Sequence, residues 1–372
     1  MPKTVHLIND EKFLPRFIQR AEDLLGAGTY VVFGSQPPYR FLGDSPNVVT
    51  SATPLSDGTP VRDVFVHFLT YQKIKWVEKY APEARVHWVY FGSDLYELLT
   101  VFHGFQLYSK KDAPGGFLPN VSGANFKAKA QRFLQLAVYH RHFARFLKNR
   151  LTTFRFWNPG DFDLLTSAFA TKATFRFFQY GAYLESDIDF VKSVRKTTGE
   201  RAALNILVNH SGTRSGNHLD ILGRIDREVL GEGHQLHATL SYGDTQHIKT
   251  VKDYGKGTFG DQWNGYYDFM PRLNYYELLS TMDIAIFGHR RQEAGNSLFI
   301  SMLLGTKVFV HPDSVLIPYL EQHGFHFATL DDLSSDDWTT ALSEEQKEHN
   351  KAAALAYFDP KRIEAAYQTL LD

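Results

Sequence analysis

The chain has 372 residues, 43% hydrophobic and 22% charged, with 40 Lys and Arg against 41 Asp and Glu and no cysteine. That balance excludes disorder over most of the length, a disulfide framework, thiolate metal ligation and thiol catalysis, and it lacks the overall positive charge of a nucleic-acid binder. The length suggests two domains. No run approaches the ~18 uninterrupted apolar residues of a membrane span, and the first ten residues turn polar too early for a secretory signal. The expectation is a cytoplasmic protein.

Residues 5–8 (Val-His-Leu-Ile) read as a strand, and Phe13, Phe17, Ile18, Ala21, Leu24 and Leu25 recur at helical spacing before Gly26 stops the helix. Strand-like runs follow at 30–33, 64–67 and 86–91, the last two separated by a helix near 71–80. This alternation predicts a parallel sheet of βαβ units. Residues 113–160 hold eight Lys and Arg, no Asp or Glu, and interleaved aromatics. A helix over 127–150 could pack on the sheet by its aromatic side. It could equally lie on an anionic membrane with Arg141, Arg145 and Lys148 toward the lipid. Residues 152–156 and 174–178 read as strands around a helix starting near Asp161.

Residues 185–201 carry mixed charges and no hydrophobic period, and read as a linker between domains 1–184 and 202–372. Beyond it, strands at 203–208, 236–240, 284–287 and 308–310 alternate with helices at 219–229, 275–282 and 298–304. Two successive α/β sheets predict two Rossmann-like domains facing an interlobe cleft that holds the ligand.

Between a strand and a helix lies Asn-His-Ser-Gly-Thr-Arg-Ser-Gly-Asn-His, residues 209–218. Its small residues let backbone N–H groups approach a phosphate, with Ser211, Gly212, Arg214, Ser215 and His218 as contacts. The same pattern suits an N-capped turn with no ligand. A second cluster, residues 289–297, sets Arg291, Gln292, Asn296 and Ser297 at another strand-to-helix junction suited to a diphosphate. Tyr242 and Gly243 follow the 236–240 strand, where a ring can stack on a base and a glycine lets backbone approach its edge. In the first domain Asp10, His67, Asp94 and Glu97 sit at or just past strand ends and are the candidate general bases. The triplets Asp161-Phe-Asp163 and Asp187-Ile-Asp189 do not follow strand ends and read as structural, so no metal or other cofactor is expected.

At these same residues the sequence resembles the enterobacterial-common-antigen 4-acetamido-4,6-dideoxygalactose transferases. Residues 91–98, Phe-Gly-Ser-Asp-Leu-Tyr-Glu-Leu, resemble the family's W-G-A-D-L-Y-E-L, and residues 206–218 resemble I-L-V-G-N-S-G-D-R-S-N-E-H. Tyr276 to Asp283, Arg291-Gln292 and the helix to Gly305 follow its Y-L-A-L-L, C-D-L, R-Q and A-G-I-P succession. Asn209, Thr213 and Gly216 depart from the pattern. The resemblance implies a GT-B architecture without an Asp-x-Asp metal site, a dTDP-sugar donor and a polyprenyl-diphosphate-linked saccharide acceptor. It also implies peripheral placement at the inner face of the cytoplasmic membrane. The expected function is transfer of a deoxyamino sugar, with Asp94 the first choice of base. The alternatives are the same fold with another donor or a soluble acceptor, and a non-catalytic sugar-nucleotide-binding protein.

Overall fold

Runs rich in Val, Ile, Leu and Phe become parallel strands buried on both faces, which is why they read as continuous apolar stretches rather than as an alternation. The computed structural model describes residues 3–26, 28–43, 47–52, 59–114, 126–181, 185–194, 203–225, 227–335 and 337–371. The chain divides into two compact units, one of residues 1–104, 123–182 and 360–372, the other of residues 105–122 and 183–359.

The first unit begins with β1 (Lys3–Asn9), α1 (Leu14–Leu25), β2 (Thr29–Phe33) and β3 (Val48–Thr50). It continues with β4 (Val61–His67), α2 (Tyr71–Tyr80), β5 (Arg85–Val89), α3 (Ser93–Phe102) and α4 (Phe126–Asn149), then β6 (Leu151–Phe156), α5 (Pro159–Ala168) and β7 (Thr174–Phe177). All seven strands are parallel in the order β3-β2-β1-β4-β5-β6-β7. The order reverses between β1 and β4, and a crevice opens at the carboxyl ends of such a pair.

The second unit holds α6 (Glu185–Ser193), β8 (Asn205–Val208), α7 (His218–Arg224), α8 (Arg227–Leu230), β9 (Gln235–Thr239), α9 (Thr245–Phe259) and β10 (Trp263–Tyr266). After these come α10 (Arg272–Ser280), β11 (Ile284–Phe287), α11 (Gly295–Leu303), β12 (Lys307–Val310), α12 (Ile317–Gln322), β13 (Ala328–Thr329) and α13 (Glu344–Tyr357). Its six strands are also parallel, β10-β9-β8-β11-β12-β13, reversing between β8 and β11. A last helix, α14 (Pro360–Gln368), returns to the first unit.

The observed division differs from the sequence expectation. Residues 185–193 are helical, with Ile188 and Val191 buried and Asp187 paired to Arg272 at 3.0 Å. Residues 195–201 of the expected linker lie outside the described residues. The terminal segment 360–372 belongs to the first unit because Tyr367 is fully buried there and donates to the Tyr180 carbonyl at 2.9 Å. A single helix expected over 219–229 is two, α7 and α8.

Two buried charges tie the strand ends of the first unit together. Asp94, in the first turn of α3, accepts from the backbone of Leu69 (2.9 Å), the Trp88 indole (2.7 Å) and the backbone of Gly92 (3.3 Å). Burial raises its carboxyl to about 6, with those hydrogen bonds opposing the rise. Lys73 of α2 is fully buried and donates to Asn9 Oδ1 and to the carbonyls of His67 and Phe68, joining the ends of β1 and β4. Replacing Asp94 with Ala leaves the two nearest of these donors, Leu69 N and the Trp88 indole, unmatched at roughly 1–3 kcal/mol each. Asp94→Ala should therefore lower the urea midpoint in proportion to about 2–6 kcal/mol; an unchanged midpoint would remove the anchoring role.

Candidate active-site residues

Because β8 and β11 are neighbours, the loops that follow them, 209–217 and 288–294, emerge side by side. Asn209 has a positive φ of 57°, and its side chain is the splice between the two loops. Its Nδ2 donates to the Gly216 carbonyl at 2.8 Å, and its Oδ1 accepts from Gly288 N at 3.0 Å. Asn217 repeats the device, donating to the Gly288 carbonyl at 2.8 Å. A Cβ at Gly216 would stand 2.9 Å from the Asn209 amide, so these two departures from the family pattern belong to one local solution. Gly212 and Gly243 form another splice: Gly212 N donates to the Tyr242 carbonyl at 2.8 Å, and a Cβ on Gly243 would lie 2.3 Å from Gly212 backbone.

Three of the predicted donor contacts, Arg214, Ser215 and Gly243, line one cavity of about 200 Å³ with Tyr108, Thr213 and Asp244. Arg214 is held there by the Asp112 carbonyl and the Asp244 carboxylate, both at 3.2 Å. The Tyr242 ring is 56% exposed, and Asn296 is exposed in the first turn of α11. Ser211 is buried, its hydroxyl 3.1 Å from that of Thr213. Ser297 accepts from the Tyr275 hydroxyl at 3.0 Å, and Gln292 is half-buried beside Arg291. His218 differs from expectation. It is fully buried, with Nδ1 3.2 Å from His247 Nε2, and supports the loop from beneath.

The residue that organises this region, Glu293, was not among the sequence candidates. It accepts from Thr213 (2.8 Å), Ser215 (2.6 Å) and Arg291 (2.8 Å), joining both loops through one carboxylate. Burial alone would raise its carboxyl, but His289, Arg291 and His210 around it, with the Ser215 hydroxyl, hold it well below the usual carboxylate range. Its place two residues after Arg291 was visible in the sequence; the hydroxyls it meets come from about 80 residues away.

In the first unit the four predicted bases do not converge. Asp10 accepts from the backbone N–H groups of Arg40, Phe41 and Leu42 at 2.6–3.1 Å and fastens that loop. Glu97 accepts from Arg132 at 2.8 and 2.9 Å. Glu97 and Asp94 share a groove of about 870 Å³ between α3, the start of α2 and α4, which Leu134, Val138 and Tyr139 also line. His67 is elsewhere, buried between His6 (3.0 Å) and the Tyr180 hydroxyl (2.7 Å), and burial drives its imidazole well below its ordinary value.

The basic segment is not one surface. Arg155 is buried in β6, Arg150 caps the carbonyls of Ala81, Pro82 and Ala84, and Arg132 serves Glu97. Residues 115–125 lie outside the described residues. What faces outward on α4 is Leu134 and Val138, 65% and 50% exposed, in line with Lys127, Arg141, Arg145 and Lys148. Arg145 there meets Glu78 at 3.0 Å. Among the described residues no helix is long and apolar enough to cross a membrane.

Comparison with known structures shows the fold. Sucrose-phosphate synthase from Thermosynechococcus elongatus superposes with a TM-score of 0.62 at 10% identity, over 99% of this chain and 98% of that one. HepE from Anabaena, in complex with UDP and glucose, gives 0.56 at 11% identity over 99% of both. WaaG, a glycosyltransferase involved in lipopolysaccharide biosynthesis, gives 0.53 at 12% identity over 98% of both. These likenesses establish the GT-B fold. No curated protein matches the chain in sequence. A family model described as 4-alpha-L-fucosyltransferase, glycosyl transferase group 56, matches residues 120–371, and the chain is therefore a glycosyltransferase belonging to that family.

Proposed function

We propose that the enzyme transfers a deoxyamino sugar from a dTDP-linked donor to a polyprenyl-diphosphate-linked saccharide in the synthesis of a bacterial surface polysaccharide. The observation that carries this reading is the family match across 120–371, which includes both loops of the second unit. The donor diphosphate meets the backbone of 211–215, with Arg214 and Arg291 supplying charge and the N-terminus of α11 a favourable dipole. No divalent metal takes part. Supporting this, Asp161 is committed to Tyr96 and Asn158, and Asp187 to Arg272, so neither Asp-x-Asp pair presents two available carboxylates. The acceptor's saccharide meets the first unit, and its lipid keeps the enzyme at the inner face of the cytoplasmic membrane. The outward stripe of α4 suits that surface: two apolar side chains enter the interface while the flanking cations meet anionic headgroups, each worth about 1 kcal/mol.

A thermal-shift panel of dTDP, UDP and GDP tests the donor. The bound nucleotide stabilises by about 2.7 kcal/mol at a hundredfold excess over its dissociation constant, and dTDP should give the largest shift. Arg291→Ala should lower kcat/KM by roughly two to three orders of magnitude, the usual loss when a charge on the leaving group is removed. Unchanged kcat/KM would place the diphosphate elsewhere. Activity should persist in excess EDTA.

For the membrane, wild-type protein should sediment with anionic vesicles at low salt and be released as ionic strength rises. Changing Arg141, Arg145 and Lys148 together to Glu should abolish sedimentation and leave dTDP binding intact. Sedimentation by the triple variant would assign α4 to packing alone.

A further inference from the structure

The switch point of the first sheet, between β1 and β4, carries a cavity of about 250 Å³ lined by Asn9, Glu11, Phe13, Leu14, His67, Phe68, Phe91 and Tyr180. This is smaller than the roughly 300–1,000 Å³ typical of sites for drug-sized ligands, and so suits a single sugar ring. Its walls are aromatic. Phe13 and Phe91 stack at 4.9 Å with 9° between planes, and Tyr180 meets Phe13 edge-on at 5.0 Å. Phe91 is 40% exposed, leaving ring surface for the C–H face of a saccharide. The polar groups are held in place by hydrogen bonds: Lys73 donates to the Asn9 side-chain amide oxygen, and His67 pairs with the Tyr180 hydroxyl. Phe68, at the end of β4, has a positive φ of 62°, a conformation costly for a bulky residue and often retained at functional sites.

Glu11 differs from the three carboxylates proposed as bases from the sequence. Each carboxylate oxygen of Asp10, Asp94 and Glu97 already accepts a hydrogen bond within the fold. Glu11 is exposed at the cavity's edge, and its side chain makes no hydrogen bond among the described residues. The groups facing it are Lys73 from α2, whose charge interacts with it, His67 from β4 and Tyr180 from the segment after β7.

We infer that this cavity is the acceptor-sugar subsite and that Glu11 is the catalytic base of the transfer. The inference rests on the proposed glycosyl-transfer function. In the step, the acceptor hydroxyl oxygen bonds to the donor's anomeric carbon as that carbon's bond to the diphosphate oxygen breaks. The proton of the hydroxyl passes to the Glu11 carboxylate, and the nucleoside diphosphate leaves with the bonding pair. Lys73, which holds the Asn9 side chain, and His67, which holds the Tyr180 hydroxyl, are positioning residues.

The test uses full-length enzyme with the dTDP-linked 4-acetamido-4,6-dideoxy sugar and a short-chain polyprenyl-diphosphate saccharide. Glu11→Gln should lower kcat/KM at least 100-fold, remove the acid limb of its pH profile, and leave dTDP affinity and melting temperature unchanged. Glu11→Asp should recover part of the rate and the acid limb. Phe91→Ala should raise the acceptor KM without changing dTDP affinity. Near-wild-type rate in Glu11→Gln, or a slow variant that keeps the acid limb, overturns the assignment while the transferase reading stands. Wild type that transfers nothing from dTDP-, UDP- or GDP-sugars overturns both.

Discussion

In a sheet whose strands all run the same way, every carboxyl end lies on one edge, and each connection must cross back over a face before the next strand begins. Among the described residues both sheets obey that constraint, one with seven strands and one with six. At one point in each, the connections part to opposite sides. Between β1 and β4, and again between β8 and β11, neighbouring loops separate and leave a crevice that helices do not close. Among the described residues, the aromatic cavity of the first unit and the Glu293 cluster of the second stand at these two places.

The two crevices are furnished differently. In the second unit the loops are joined backbone to backbone by glycines and side chain to backbone by Asn209 and Asn217. Charge there is balanced before any ligand arrives, since Arg291 rests on Glu293 and Arg214 on Asp244. In the proposed function the donor diphosphate exchanges these carboxylates for phosphate oxygens, a swap of partners rather than the burial of an unmatched cation. In the first unit the charges are set behind the crevice. Lys73 and Asp94 spend their hydrogen bonds on strand ends and on Trp88, and so define where the aromatic walls stand.

Long-range closure matters as much as the strand ends. Tyr180 is positioned from one side by His67 and from the other by Tyr367 of the terminal helix, which donates to its carbonyl. A side chain that lines a crevice of the first unit thus depends on a helix formed by the last residues of the chain. Change in α14 would reach the Phe13–Phe91–Tyr180 wall through that hydrogen bond.

Much of this was legible in the sequence. Buried parallel strands are short apolar runs, so β1, β2, β4, β5, β8, β9, β11 and β12 could be read locally, and with them the strand-to-helix loops at 209–218 and 289–297. The family, too, was visible in ordered motifs around residues 91–98, 206–218 and 276–305. The short β3 and β13 and the helix α6 were not legible, because strands of two or three residues and a mixed-charge helix carry almost no periodic signal and take their shape from neighbours such as Arg272. The functions of individual acidic residues were hidden for a related reason. Sequence position placed Asp10, Asp94 and Glu97 at strand ends as readily as Glu11. Only the fold brought Arg40 to Leu42 against Asp10, Trp88 against Asp94 and Arg132 against Glu97. A carboxylate's availability is set by donors that arrive from elsewhere in the chain, and these are contacts that tertiary structure alone decides.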